Sequence, residues 1–227
     1  MQHPSKTVGL REAMKSVVSG GRIMVGNFGA SGLPLHLIEA LADSGAKDLT
    51  IISNDLGTPG QGLGKLLRNG QVKALVGNYY NWNPEVAEAY FSKKIQVTLL
   101  PQGTFAEAIR AGGVGIPAFY TPTAVGTDLA EGKETRDFNG RACLLEKALH
   151  ADVALIWAYQ ADELGNLVYY KTARNFNPLM AMASKVTIAE VEEVVPAGSL
   201  DPEAIVTPHL YVDYIVERKR LNAETRG

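Results

Sequence analysis

Short, nearly continuous apolar runs alternate along this chain with segments whose apolar residues recur every three to four positions. The runs at residues 22–25, 49–52, 73–76, 96–99, 152–158, 186–191 and 211–216 read as strands, and 152–158 has the unbroken apolar character of a buried parallel strand. Helical spacing predicts a first helix in which Leu10, Met14, Val17 and Val18 share a face, with Thr7 as N-cap and Gly20-Gly21 as the stop. Further helices are expected at 35–41 behind Pro34, at 63–68, 84–91 and 105–111, and at 180–184. Strand and helix in regular alternation imply an α/β layer fold. Asn139-Gly140 has the turn chemistry of a type I′ hairpin, and a second strand pair is expected around Gly165-Asn166.

Composition narrows the classes. The 227 residues are 46% apolar, enough for a folded core, and 22 basic against 24 acidic residues give a net charge of −2. The one basic cluster, Glu217 to Arg220, reads as a solvated helix end, so nucleic acid is not an expected partner. No apolar run reaches membrane-spanning length and no signal peptide is legible, which gives the expectation of a cytoplasmic protein that does not engage membranes. A single cysteine, Cys143, rules out an intrachain disulfide and reads as a buried small residue. His3, His36, His150 and His209 are too widely spaced for a metal pair, so no metal is expected.

Candidate chemistry clusters after the predicted strands. Gly26 to Gly32 follows the first one, and its glycines either make a tight strand-to-helix turn or offer backbone N–H groups to an anion. Ser53-Asn54-Asp55 follows the second strand, where open parallel sheets bind ligands. Asn54 could donate an amide hydrogen bond there, or the pair could merely form an Asx turn. Gln102 stands in the same relation to strand 96–99, at the head of a Gly-, Pro- and Thr-rich stretch running to Thr127 that reads as a loop around one helix. A neutral amide at that position can hold a carboxylate or thioester oxygen without trapping it as an ion pair. Glu107 and Arg110, one turn apart, read as an intrahelical ion pair. Arg174 could clamp a carboxylate or a phosphate, or serve an interface. Tyr79, Tyr80 and Trp82 could stack on a ligand or form an interface patch.

The stretch from Pro101 to Thr127, followed by Lys171-Thr-Ala-Arg-Asn-Phe-Asn-Pro178, resembles the alpha (A) subunit of the family I coenzyme A transferases. Ile23 to Phe28 with Gly32-Leu-Pro34, Asp48 to Asn54, Gly62-Leu-Gly64, Gly126-Thr127 and Gly165-Asn166 carry the resemblance over roughly residues 7–217 of a single domain. The resemblance implies an open, largely parallel sheet flanked by helices with added hairpin strands. It also implies transfer of CoA between an acyl-CoA, such as succinyl-CoA or acetyl-CoA, and a short-chain or 3-oxo acid such as acetoacetate, with no cofactor because CoA is itself a substrate. In this family the nucleophilic glutamate belongs to the beta subunit, so the resemblance implies a beta-subunit partner, a two-plus-two assembly and no catalytic nucleophile in this chain. It assigns substrate contact to Gln102, Asn54 and Ser53 and to the loop residues Gly26, Phe28, Gly29 and Gly32, and a carboxylate, CoA or interface contact to Arg174 and Lys171. Asn27, Ala124 and His209 replace customary glycines, Ser19 a customary acid and Tyr170 a customary arginine. The alpha chain of a 3-oxoadipate CoA transferase is an alternative, as are a non-catalytic acyl-CoA or sugar-phosphate sensor and a sugar-phosphate isomerase using Asp55 and Lys65.

Overall fold

A strand buried on both sides must alternate its apolar residues between two cores, and the first strand shows this directly. In the computed structural model, which describes residues 5–218, Ile23 and Val25 of β1 (Arg22–Val25) join one core and Met24 joins the other. The same division holds along β2 (Leu49–Ile52), β3 (Val72–Gly77), β8 (Ala151–Asp162), β10 (Ser184–Val195) and β11 (Tyr214–Glu217). With β4 (Gln96–Leu99) they form a sheet in the order β11-β10-β8-β1-β2-β3-β4 whose neighbouring pairs are all parallel, while β9 (Leu167–Val168) pairs antiparallel with β8. One core is roofed by α1 (Leu10–Ala13), α2 (Leu35–Asp43), α3 (Leu63–Arg68) and α4 (Pro84–Phe91), the other by α5 (Gln102–Gly113) and α6 (Asn177–Met182). Phe105 of α5, fully buried, meets Phe176 edge-on at 5.2 Å. A separate antiparallel sheet, β5-β7-β6, is built from Ala118–Thr121, Arg141–Lys147 and Thr135–Phe138.

The departures from expectation have physical reasons. The first helix stops at Ala13 and tightens into a 3₁₀ turn, Met14–Ser16, and Thr7 is not a cap because its backbone bridges Ile215 at the sheet edge. The Gly-rich stretch after Pro101 is not an extended loop. Helix α5 begins at Gln102 itself, because Phe105, Ala108 and Ile109 bury a face strong enough to carry Gly103, Gly112 and Gly113. Strands β8 and β10 run to twelve residues each, since ten register pairs between them outweigh the polar Gln160 and Glu193 that broke the apolar pattern. The Asn139-Gly140 turn is as expected, with both residues in the left-handed region (φ 56° and 78°) between β6 and β7. Cys143 is buried on β7 and Glu107 pairs with Arg110. His3, Lys219 and Arg220 lie outside the described residues.

Helix α2 begins at Pro34, which offers no side-chain cap. One of its first-turn N–H groups is instead met by Glu190 of β10, fully buried, which accepts from Leu37 N at 3.0 Å and faces His36 Nδ1 at 3.1 Å. Arg218 also pairs with Glu190 and with Glu192, and Glu192 accepts from Trp157 Nε1 at 3.0 Å. The hydrogen bond to Glu190 raises the His36 pKa from 6.5 against the opposing effects of burial and Arg218. A raised folded pKa means that this contribution to stability is fully present below about pH 6.5 and is lost as pH rises through the folded value. Denaturant unfolding of His36→Asn is therefore expected to show a flatter stability profile than the wild type between about pH 6 and 8.

Candidate functional site

The chain leaves β1 toward β2, β3 and β4 on one side and later returns to place β8 on the other, so the strand order reverses at β1. Open parallel sheets bind ligands beside such a reversal, outside the carboxyl ends of the strands. The loops ending there are Gly26 to Gly32 after β1, Ser53-Asn54-Asp55 after β2, Asn78 to Trp82 after β3, and Leu100 to Gln102 after β4. They are cross-tied: Asn78 N and Tyr79 N both donate to Asn54 O, at 3.2 and 2.9 Å, and Asn78 Nδ2 donates to Leu100 O at 3.0 Å.

Asp55 is the hub. Its carboxylate is 1% exposed and accepts four N–H groups: Asn27 Nδ2 at 3.0 Å, Gly29 N at 2.8 Å, Asn54 Nδ2 at 2.9 Å and Gly57 N at 3.0 Å. Asn54 in turn accepts from Gln102 Nε2 at 2.8 Å, so two amides that are 48 residues apart in sequence touch at the carboxyl ends of β2 and β4. Ser53 is fully buried and its Oγ donates to Asp55 O at 2.7 Å, which places it under the loop. Gln102 remains exposed at the N-terminus of α5, behind Pro101. Tyr80 is buried with no partner for its hydroxyl among the described residues, and burial together with the Asp55 charge pushes its phenol well above its ordinary range, so it stays neutral.

The glycine loop is built inward. Gly26 N donates to Leu155 O, Phe28 and Ser31 exchange both backbone bonds, and Gly29 N is taken by Asp55. The amides of Gly26, Phe28, Gly29 and Ser31 are thus spent inside the protein, which favours the tight strand-to-helix turn over N–H groups held out to an anion. Their smallness serves another end. A Cβ on Gly26 would sit 1.8 Å from Asn177 Oδ1, and one on Gly32 would sit 2.3 Å from Ala173 O. Asn177 fills that space, accepting from Trp157 N at 2.9 Å and donating to Gly32 O at 3.1 Å and Ala173 O at 2.9 Å. Asn175 adds a bond to Ser31 O at 3.0 Å. The Lys171–Arg174 turn is thereby pinned to the glycine loop, with Lys171 and Asn175 held at positive φ, 48° and 22°. Lys171 lies over the Tyr170 ring and Arg174 is exposed, and neither makes a salt bridge among the described residues. Asn175 and Asn177 were not legible as site-building residues, although the Asn-Phe-Asn pattern beside a proline was a visible signal, and Asp55 was read as half of an Asx turn or an isomerase acid and not as the hub of the loops.

Between the glycine loop and the start of α3 lies a cavity of about 270 Å³, lined by Asn27, Leu33, Asp55, Gln61, Leu63 and Trp82 among others. Among the described residues, no lysine, arginine or histidine lines it. Phe28 and Trp82 are both more than half exposed nearby, and Trp82 meets Tyr79 edge-on at 5.2 Å. Lys65 is tied to Glu39, so it does not form the acid–base pair with Asp55 that an isomerase reading needs. Among the described residues there is no group of three or more potential metal ligands, and no helix is long and apolar enough to cross a membrane.

Comparison with known proteins agrees with this architecture. A family model for coenzyme A transferases matches residues 8–218. The chain is 48% identical over 219 residues to the A-type chain of a probable succinyl-CoA:3-ketoacid coenzyme A transferase of Bacillus subtilis (strain 168), covering 95% of this chain and 92% of that protein. It is 45% identical over 212 residues to the alpha chain of the acetate CoA-transferase of Escherichia coli (strain K12), covering 93% of this chain and 96% of that one. Among solved structures, the fold is shared with glutaconate coenzyme A-transferase of Acidaminococcus fermentans (TM-score 0.83, 22% identity, 94% of this chain and 75% of that chain). It is shared equally with an acyl-CoA transferase of Escherichia coli O157:H7 in a thioester complex with CoA (TM-score 0.84, 20% identity, 95% of this chain). This chain spans about half, 48%, of the latter.

Proposed function

Because the chain belongs to the coenzyme A transferase family, we propose that it is the alpha subunit of a two-subunit enzyme. The enzyme moves CoA between an acyl-CoA, acetyl-CoA or succinyl-CoA, and a short 3-oxo acid such as acetoacetate. The observation that carries this reading is a site equipped for half of the chemistry. The Gln102–Asn54 pair offers neutral amides at the strand ends. Among the described residues, the only carboxylate lining the neighbouring cavity is Asp55, buried and already accepting four hydrogen bonds. That fits the family pattern in which the nucleophilic carboxylate comes from another chain, the beta subunit.

In that reaction a carboxylate oxygen of the partner's glutamate attacks the thioester carbonyl. The resulting tetrahedral oxyanion collapses to an acyl-glutamyl anhydride and CoA thiolate. The thiolate attacks the glutamyl carbonyl, releasing the first acid as carboxylate and leaving CoA on the enzyme as a thioester, and the acceptor acid runs the sequence in reverse. Ping-pong kinetics follow. Gln102 and Asn54 stabilise the acyl oxygens, and the glycine loop with Trp82 walls the acyl group. No metal or nicotinamide enters this sequence. A buried free thiol at Cys143 fits a reducing, cytoplasmic setting.

3-Oxoadipate, like the succinyl group, brings a second carboxylate, and because no lysine, arginine or histidine among the described residues lines the cavity, a cation for it would come from the beta subunit. The test is CoA exchange to acetoacetate and to 3-oxoadipate by this chain alone and with its beta subunit. Activity only in the mixture and loss on borohydride treatment after acyl-CoA loading are expected. Full activity of the isolated chain would overturn the reading.

A further inference from the structure

Asp55 has no place in the proposed chemistry, yet it collects more hydrogen bonds than either amide assigned to substrate. Both of its carboxylate oxygens already receive a backbone N–H, Oδ1 from Gly57 and Oδ2 from Gly29, and a backbone N–H can only donate. The end of the Asn54 side chain that lies 2.9 Å from Oδ2 must therefore be its NH₂ group. That leaves Asn54 Oδ1 turned outward as an acceptor, so the group of Gln102 at 2.8 Å must again be the NH₂. The chain of constraints ends on Gln102 with its carbonyl oxygen and one N–H left over, in one fixed orientation.

We propose that Asp55 is a positioning residue that dictates, through Asn54, which atoms of Gln102 meet the acyl group. The inference rests on the reading of Gln102 as a substrate contact. Without the carboxylate, Asn54 and Gln102 can each turn over by half a rotation at little steric cost, and the single N–H aimed at the developing oxyanion is replaced by a carbonyl in part of the population. Asn27 Nδ2 reaches the other oxygen of the same carboxylate, so the hub also ties the amide pair to the wall of the cavity.

The experiment is a double-mutant cycle on the reconstituted two-subunit enzyme, using Asp55→Asn and Gln102→Ala with acetyl-CoA and acetoacetate. Asp55→Asn is expected to lower kcat by about tenfold with little change in KM, and to cost almost nothing further when Gln102 is already alanine. If the two losses multiply, or if Asp55→Asn alone has wild-type kinetics, the relay is wrong while the role of Gln102 stands. If Gln102→Ala is itself without effect, the substrate-contact reading falls and takes the relay with it. Should Asp55→Asn not fold, Asn54→Ala replaces it in the cycle. That change cuts the link between the hub and Gln102 and also removes Asn54's own contact with the acyl group, so the double variant is expected to lose clearly less than the product of the two single losses, and losses that multiply in full overturn the proposal.

Discussion

Replacing Gly26 with alanine is expected to destabilise the fold by about 3 to 5 kcal/mol, an overpacking cost added to that of orphaned hydrogen bonds. The new Cβ would lie 1.8 Å from Asn177 Oδ1 and 2.6 Å from its Cγ, so Asn177 would have to leave. Its departure strands the N–H of Trp157 inside β8 and removes donors from the carbonyls of Gly32 and Ala173. The Trp157 N–H then has no water within easy reach, because Trp157 and Asn177 are buried, whereas the carbonyls of Gly32 and Ala173 are only partly buried. Urea or guanidinium unfolding should show a lower midpoint at an unchanged slope. Gly103→Ala is the control, since a Cβ there meets nothing within 4 Å and the position is helical. It should be neutral or gain up to about 1 kcal/mol.

Truncating Gln102 to alanine in the assembled enzyme is expected to lower kcat/KM by about 10² to 10³-fold, the range for losing one oxyanion donor. Its side chain is exposed and, among the described residues, its one hydrogen bond is to Asn54, so the melting temperature should barely move. The loss should fall mainly on kcat, because a neutral amide gains most when charge develops on the oxygen it faces. Steady-state kinetics with acetoacetate as acceptor read this directly. A change confined to KM would place Gln102 in ground-state binding instead.

The sequence was most readable where one local signal sufficed. Strands β1, β2 and β4 and helices α3 and α4 lie at the expected residues, because each pairs an unambiguous period with a hard stop such as Pro84 or the Gly20-Gly21 pair. Strand β5 was missed because its four residues are only half-buried and sit between prolines, so no apolar period marks them. The twelve-residue lengths of β8 and β10 come from mutual pairing, which a single-strand pattern does not carry. At the site, position after a strand singled out Asn54 and Gln102, but their contact depends on two loops converging in space. Asp55 read as one half of an Asx turn, and its bond to Gly57 N is that turn, but its other bonds come from residues up to 28 positions away. Gly26 and Gly32 were read as ligand-facing, when the pressure on them comes from Asn177 and Ala173 behind.

The position of β1 at the middle of the sheet also sets a timetable. Its register with β8 joins Ile23 to Val153, about 130 residues later. At roughly 5 to 20 residues per second a ribosome needs on the order of ten seconds to deliver that partner. During this interval β1 to β4 can assemble with their helices while one long side of β1 stays unpaired, the sort of edge that invites pairing with a neighbouring nascent chain. Asn177 can pack behind Gly26 only when the second half emerges, so the glycine loop is made early and receives its backing late.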